Sequence, residues 1–148
     1  MVYDSDNNRG FLFGGRSGTS TLNDDTWVYY YENNSWSEMI NVIKPDIRYW
    51  HSMVYDSNNQ KIIVFGGRNL GAPGEALDDT WIFDPSTDEW AEVLPTSHPS
   101  NRMDFSMVYD SINQKSIAFG GFRFPGPTLG DTWSYSYNSN SWSQVKGS

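Results

Sequence analysis

The chain has 148 residues, a net charge of −8 and no cysteine. The acidic balance argues against nonspecific nucleic-acid binding, which needs a basic surface to release counterions, and against docking on anionic membrane. The missing thiols exclude a disulfide framework, a thiolate zinc site and a cysteine nucleophile.

The length suggests one domain. Aromatic residues make up 16%, which suits a strand-rich core of Trp, Tyr and Phe. No apolar run approaches the length of a membrane span, and the N-terminus has no signal-peptide core. The compartment is not decided by these features.

One pattern occurs three times. It runs Met1-Val2-Tyr3-Asp4-Ser5, Phe13-Gly14-Gly15, Asp25-Thr26-Trp27 and Trp36. It returns as Met53-Val54-Tyr55-Asp56-Ser57, Phe65-Gly66-Gly67, Asp79-Thr80-Trp81 and Trp90. It returns again as Met107-Val108-Tyr109-Asp110-Ser111, Phe119-Gly120-Gly121, Asp131-Thr132-Trp133 and Trp142. A repeat of this length, rich in short apolar runs, predicts propeller blades rather than a helical solenoid.

Each copy predicts four antiparallel strands, A to D, and no helix. In the second copy strand A is Ser52 to Asp56, and Asp56 to Gln60 is a turn of residues that bond their own backbone. Strand B, Lys61 to Phe65, is a nearly continuous apolar run, as expected for a strand covered on both faces. Its equivalents are Gly10 to Phe13 and Ser116 to Phe119. The Gly pair ends strand B, where a positive φ or a close backbone approach forbids a Cβ. Strand C is Thr80 to Asp84, and strand D is Glu89 to Val93 with Trp90. Trp27, Trp81, Trp133, Trp36, Trp90 and Trp142 repeat in phase and are expected in the core. Only the B–C connection changes length: Arg16 to Asp24, Arg68 to Asp78, and Phe122 to Gly130.

These residues resemble the kelch repeat, over essentially the whole chain. The Gly-Gly pair and the later Trp carry the resemblance, with Arg48-x-x-His51-Ser52 and Arg102-x-x-Phe105-Ser106 before strand A of copies two and three. It implies an all-β fold of three four-stranded kelch-type blades: blade 1 over 1–41, blade 2 over 48–95 and blade 3 over 102–146. The first copy starts inside strand A with no arginine before it. Propellers usually close with four to eight blades. Three blades are therefore expected to be half of a six-bladed homodimer or a piece of a longer propeller. Both need a matching blade surface at each end.

Alternating strand direction puts the B–C and D–A connections on one face. Five of the six arginines fall there: Arg16, Arg68 and Arg123 after the Gly pairs, and Arg48 and Arg102 before strand A. A rim of guanidinium forks in an acidic protein suggests a site for carboxylates or an acidic peptide. The opposing expectation is that these arginines pair with nearby acids such as Asp79 and Asp131 and tie the fold together. Trp50, with no Trp at the equivalent Asp104, joins Tyr49 and Phe124 as the aromatics expected on the rim. The candidate ligand-binding set is thus Arg16, Arg48, Tyr49, Trp50, Arg68, Arg102, Arg123 and Phe124.

Other constellations point to structure. Asp4-Ser5-Asp6-Asn7-Asn8 alternates oxygen ligands like a calcium loop, but lacks the Gly and Glu of one. His51 and His98 are the only histidines, and no catalytic or metal role is expected for either. The acids before strand C are expected to cap turns or bind neighbouring backbone. No cofactor is implied. The expected function is a non-catalytic scaffold recognising a protein or peptide through the B–C/D–A face. The alternatives are carbohydrate binding through Tyr49, Trp50 and Phe124, or an epimerase- or oxidase-like propeller enzyme. The copper-radical oxidase type needs a Cys joined to Tyr, which this chain lacks.

Overall fold

The computed structural model describes residues 1–18, 21–69 and 76–147. Among them there are twelve strands and no helix. The first sheet contains β1 (Val2–Asp4), β2 (Arg9–Ser17), β3 (Thr21–Tyr30) and β4 (Ser35–Met39). The second contains β5 (Ser52–Asp56), β6 (Lys61–Phe65), β7 (Thr80–Asp84) and β8 (Glu89–Val93). The third contains β9 (Ser106–Asp110), β10 (Lys115–Phe119), β11 (Thr132–Ser136) and β12 (Ser141–Lys146). Every sheet is an antiparallel meander in chain order, and the first strands β1, β5 and β9 lie side by side. The all-β reading and the four-stranded blades hold.

The hairpins follow from their sequence. Asp4 Oδ1 accepts the backbone N–H groups of Asp6 and Asn7, both at 3.1 Å, and Oδ2 accepts the Asn7 amide at 3.0 Å. Asp56 and Asp110 repeat this arrangement with Asn59 and Asn113. The calcium-like alternation is thus an Asx turn whose carboxylate is occupied by its own loop. Asn8, Gln60 and Gln114 close these turns at φ of 52°, 56° and 53°. Asn34, Asp88 and Asn140 do the same between the third and fourth strands, residue types that bear a left-handed backbone at modest cost.

The first sheet departs from expectation at its Gly pair. Strand B was expected to stop at Phe13, as its equivalent stops at Phe65. Instead β2 runs on to Ser17, with a register shift between Phe13 and Gly15, and pairs Gly15 with Asn23, Arg16 with Leu22 and Ser17 with Thr21. Its B–C connection is Ser- and Thr-rich, where the others hold several Gly and Pro residues that break a ladder.

Two cores lie between the sheets. Phe11, Phe13 and Val28 of the first sheet pack on Met53, Tyr55, Ile62, Val64, Phe83 and Trp90 of the second. Val54, Ile63, Phe65 and Ile82 of the second pack on Met107, Ala118, Tyr135 and Trp142 of the third. Each interface uses the same lock. A Phe meets the incoming Trp at 4.9 Å between ring centroids, Phe13 with Trp90 and Phe65 with Trp142. The indole N–H then donates to a threonine across the gap: Trp90 to Thr26 at 3.0 Å and Trp142 to Thr80 at 3.1 Å. This satisfies the one polar atom of an otherwise apolar side chain. Tyr55 adds a hydroxyl bond to Asp6 at 2.6 Å.

The expectation that all six in-phase tryptophans are core needs correction. Trp90 and Trp142 are buried, but Trp36 is 47% exposed. No other sheet covers the side of the first sheet that carries it, among the described residues. Position in a repeat sets which way Trp36 points, and only a neighbouring sheet can bury it.

Candidate binding face

The Gly pairs bring the loop face together. Gly15 N–H donates to the Arg48 carbonyl at 2.8 Å, and Gly67 N–H donates to the Arg102 carbonyl at 2.9 Å. Each bond joins the end of strand B in one sheet to the segment entering the next. A Cβ on Gly66 would stand 2.7 Å from the Arg102 carbonyl oxygen, and Gly66 has φ of 61°. Both facts demand glycine. Two short bridges continue the face, Tyr49 with Arg68 and Met103 with Phe122.

The structure divides the arginines of the candidate set. Arg48 and Arg102 are fully buried. Arg48 grips both oxygens of Asp79 at 2.7 and 2.6 Å and donates to the Gly66 carbonyl at 3.0 Å. Its Nε donates to the Asp46 carbonyl at 3.1 Å. Arg102 repeats this with Asp131, at 2.9 Å on each oxygen, with Gly120 and with Ser100. The Arg102 fork holds the Asp131 carboxyl below its ordinary range. Both guanidiniums therefore have every nitrogen on an acceptor inside the fold and offer no N–H fork to an open surface. Asp79 and Asp131 each bind a fork and an indole, which follows the expectation that these arginines pair with nearby acids rather than the one that the acids cap turns.

The other arginines lie with aromatics. Arg16 is exposed and sits over the Tyr49 ring at 5.9 Å. Tyr49 is buried and packs on Trp50 at 4.6 Å. Trp50 is 50% exposed, with φ of 57°. Asp104, its equivalent, shares this backbone at φ of 54°. Aspartate suits that conformation, whereas tryptophan makes it costly. Arg68 is half-buried and stacks on Phe124 at 4.7 Å, and Phe124 is 42% exposed. Arg123 is half-buried, and its Nε has no hydrogen-bond partner among the described residues. Cation–aromatic stacks of this kind contribute about 0.5–1 kcal/mol at exposed sites.

The two histidines have different settings. His51 packs edge-on against Phe13 at 5.8 Å, as Phe105 packs on Phe65 at 5.7 Å in the next blade. Burial and the nearby Arg48 pull its pKa down to about 3, so the ring is neutral and behaves as an aromatic. His98 is exposed and bonds the Pro99 carbonyl. Sequence reasoning did not find this aromatic substitution, although Phe105 at the equivalent position signals it.

The repeated Arg, Gly-Gly, Asp-x-Trp and Trp positions form one connected architecture, and sequence comparison identifies it. The KLHDC2/KLHL20/DRC7 Kelch-repeats domain family matches residues 2–148. This chain belongs to the kelch-repeat family. It is 27% identical to Mei4-dependent protein 6 of Schizosaccharomyces pombe over 98% of the chain and 22% of that protein. It is 33% identical to Kelch domain-containing protein 2 of Bos taurus over 77% of the chain and 27% of that protein. It is 29% identical to an F-box/kelch-repeat protein of Arabidopsis thaliana over 91% of the chain and 30% of that protein. The chain thus spans less than a third of the length of each of these relatives.

Proposed function

We propose that this kelch chain is a non-catalytic recognition scaffold that holds an acidic protein segment on its B–C/D–A loop face. The half-exposed Trp50 carries this reading. A bulky aromatic is kept on a left-handed backbone where the sister blade has Asp104, and it packs at a tilt on Tyr49, whose ring lies under Arg16. Strain of this kind is expected where a side chain is retained for contact rather than for folding. Trp50 and Phe124 would supply the apolar anchors, and Arg16, Arg68 and Arg123 the charge. Arg48 and Arg102 would act indirectly, by fixing the loops that carry them.

The test is selection of peptides from a random library on the intact chain. Asp and Glu beside an apolar residue should be enriched, and salt should weaken capture. Trp50→Ala and Arg68→Gln should each remove the enrichment. Peptides without acidic bias, or selection unchanged by Trp50→Ala, would refute the reading. Capture of oligosaccharides, lost on Trp50→Ala alone, would favour carbohydrate binding instead.

A second reading concerns the blade ends. The first sheet presents Trp36 packed at a tilt on Tyr29 at 5.1 Å, the incoming half of the lock, beside an apolar cleft of about 410 Å³. The third sheet presents the receiving half, Phe119 at 57% and Val108 at 61% exposure beside Thr132. We infer that these faces pair between two copies of the chain as a closed two-fold ring. Light scattering across a dilution series should then give twice the mass of 16.9 kDa. Trp36→Asp should return the monomer, and a monomer at every concentration would refute the pairing.

A further inference from the structure

Each sheet carries the same pair within or just before its third strand, an aspartate and a tryptophan two residues on. The indole N–H donates to the carboxylate in all three: Trp27 to Asp25 at 2.6 Å, Trp81 to Asp79 at 2.8 Å and Trp133 to Asp131 at 2.6 Å. In the second and third sheets the same carboxylate also takes a guanidinium on both oxygens, and that guanidinium reaches the carbonyl of the first glycine of the pair. The first sheet builds the same surroundings. Gly14 has φ of 58°, against 61° for Gly66 and 70° for Gly120. Yet Asp25 Oδ1 is buried and has no hydrogen-bond partner among the described residues. The nearby Lys44 pairs with Asp24 at 3.1 Å, not with Asp25.

A buried carboxylate oxygen without a donor is destabilising, and native folds rarely leave one. Two sister sites show what the oxygen accepts. We propose that Asp25 is a guanidinium-binding site, which takes an arginine side chain from outside residues 1–148. The fork would close on both Asp25 oxygens, with a further N–H on the Gly14 carbonyl. Lysine would serve poorly, because its ammonium is a point charge without the planar fork. The site is independent of the loop-face reading and of pairing between copies.

The indole N–H groups report on the site directly. In ¹H–¹⁵N spectra of the intact chain, arginine amide at millimolar concentration should move the Trp27 indole signal saturably. Trp81 and Trp133, whose carboxylates are occupied, should stay in place. Asp25→Asn should abolish the movement, and lysine amide should produce less of it. A second arm supplies the arginine in cis, by placing a copy of residues 44–52 before Met1. This sets an arginine at the distance from Met1 that separates Arg48 from Met53. The urea midpoint should exceed that of the same graft with glutamine for the arginine, and the two grafts should coincide in an Asp25→Asn background. A response in the first arm assigns the site to a separate chain's arginine. A response in the graft alone assigns it to an adjoining segment of the same chain. Equal movement of all three indoles overturns the proposal. So does an unmoved Trp27 together with arginine and glutamine grafts of equal midpoint.

Discussion

Arg48 and Arg68 lie twenty positions apart on the same loop face, and their surroundings could hardly differ more. Arg48 is fully buried, with every guanidinium nitrogen on an acceptor. Arg68 is half-buried and lies over the Phe124 ring. Arg102 belongs with the first, Arg16 with the second. Composition alone counts these as one basic rim. The structure shows one set closing the fold and another dressing its surface, so charge replacement should separate them by magnitude and by readout.

The largest effect is expected inside. Arg102→Ala leaves Asp131 buried beside Trp133 without its counter-ion. Breaking a buried pair in this way costs about 3–5 kcal/mol. Urea denaturation should show this loss, and Asp131→Ala should match it. The double change to apolar residues of similar volume should recover much of the loss, because the cost lies mainly in the uncompensated charge. If Arg102→Ala costs no more than Arg16→Ala, the division of the arginines fails.

The next effect depends on pH. The folded pKa of His51, about 3, lies below its unfolded value near 6.5. Between these values the unfolded chain binds the proton and the folded chain does not. Stability therefore falls as pH drops through this window, by up to about 1.4 kcal/mol per pH unit. Below pH 3 this contribution stops changing. His51→Phe copies the Phe105 solution of the next blade. Denaturation midpoints from pH 7 to 4 should be flatter for the variant, and a slope unchanged by the replacement would count against a neutral buried ring.

The same contrast applies to the blade tryptophans. Trp142→Phe removes the bond to Thr80 in a buried interface and should cost about 1 kcal/mol. Trp36→Phe changes a side chain that is 47% exposed and should cost much less in the isolated chain. If two copies pair as proposed, Trp36→Phe should instead weaken self-association, visible as a lower mass on dilution.

Much of the architecture was legible in the sequence because it is local or periodic. The Asp4, Asp56 and Asp110 turns need only the residues that follow them. The Gly pairs announce themselves by their spacing in all three copies. What the sequence left open depends on contacts between distant segments. Nothing near Arg48 says that Asp79, rather than a ligand, meets its fork, since that contact spans 31 residues. The exposure of Trp36 depends on which sheet lies beside it, and its phase in the repeat cannot supply that. The long first hairpin was missed because the Gly pair was read as a stop. Gly14, at φ of 58°, is instead skipped in a bulge between the paired Phe13 and Gly15, and the ladder continues.

The smallest stability effects are expected on the rim, and they sharpen the comparison most. Arg16→Ala removes a stack on Tyr49 at 5.9 Å and Arg68→Ala one on Phe124 at 4.7 Å. Loss of the stack itself should cost about 0.5–1 kcal/mol in each case, the scale of a cation–aromatic contact near the surface. Their effect on capture of an acidic peptide should be far larger than their effect on folding, and it should shrink as salt is raised. Arg102→Ala should show the reverse ratio, because it acts on binding only through loss of the fold. A rim variant that binds normally but unfolds easily would place Arg68 with Arg48 as part of the frame, and the recognition surface would have to be sought elsewhere on the blades.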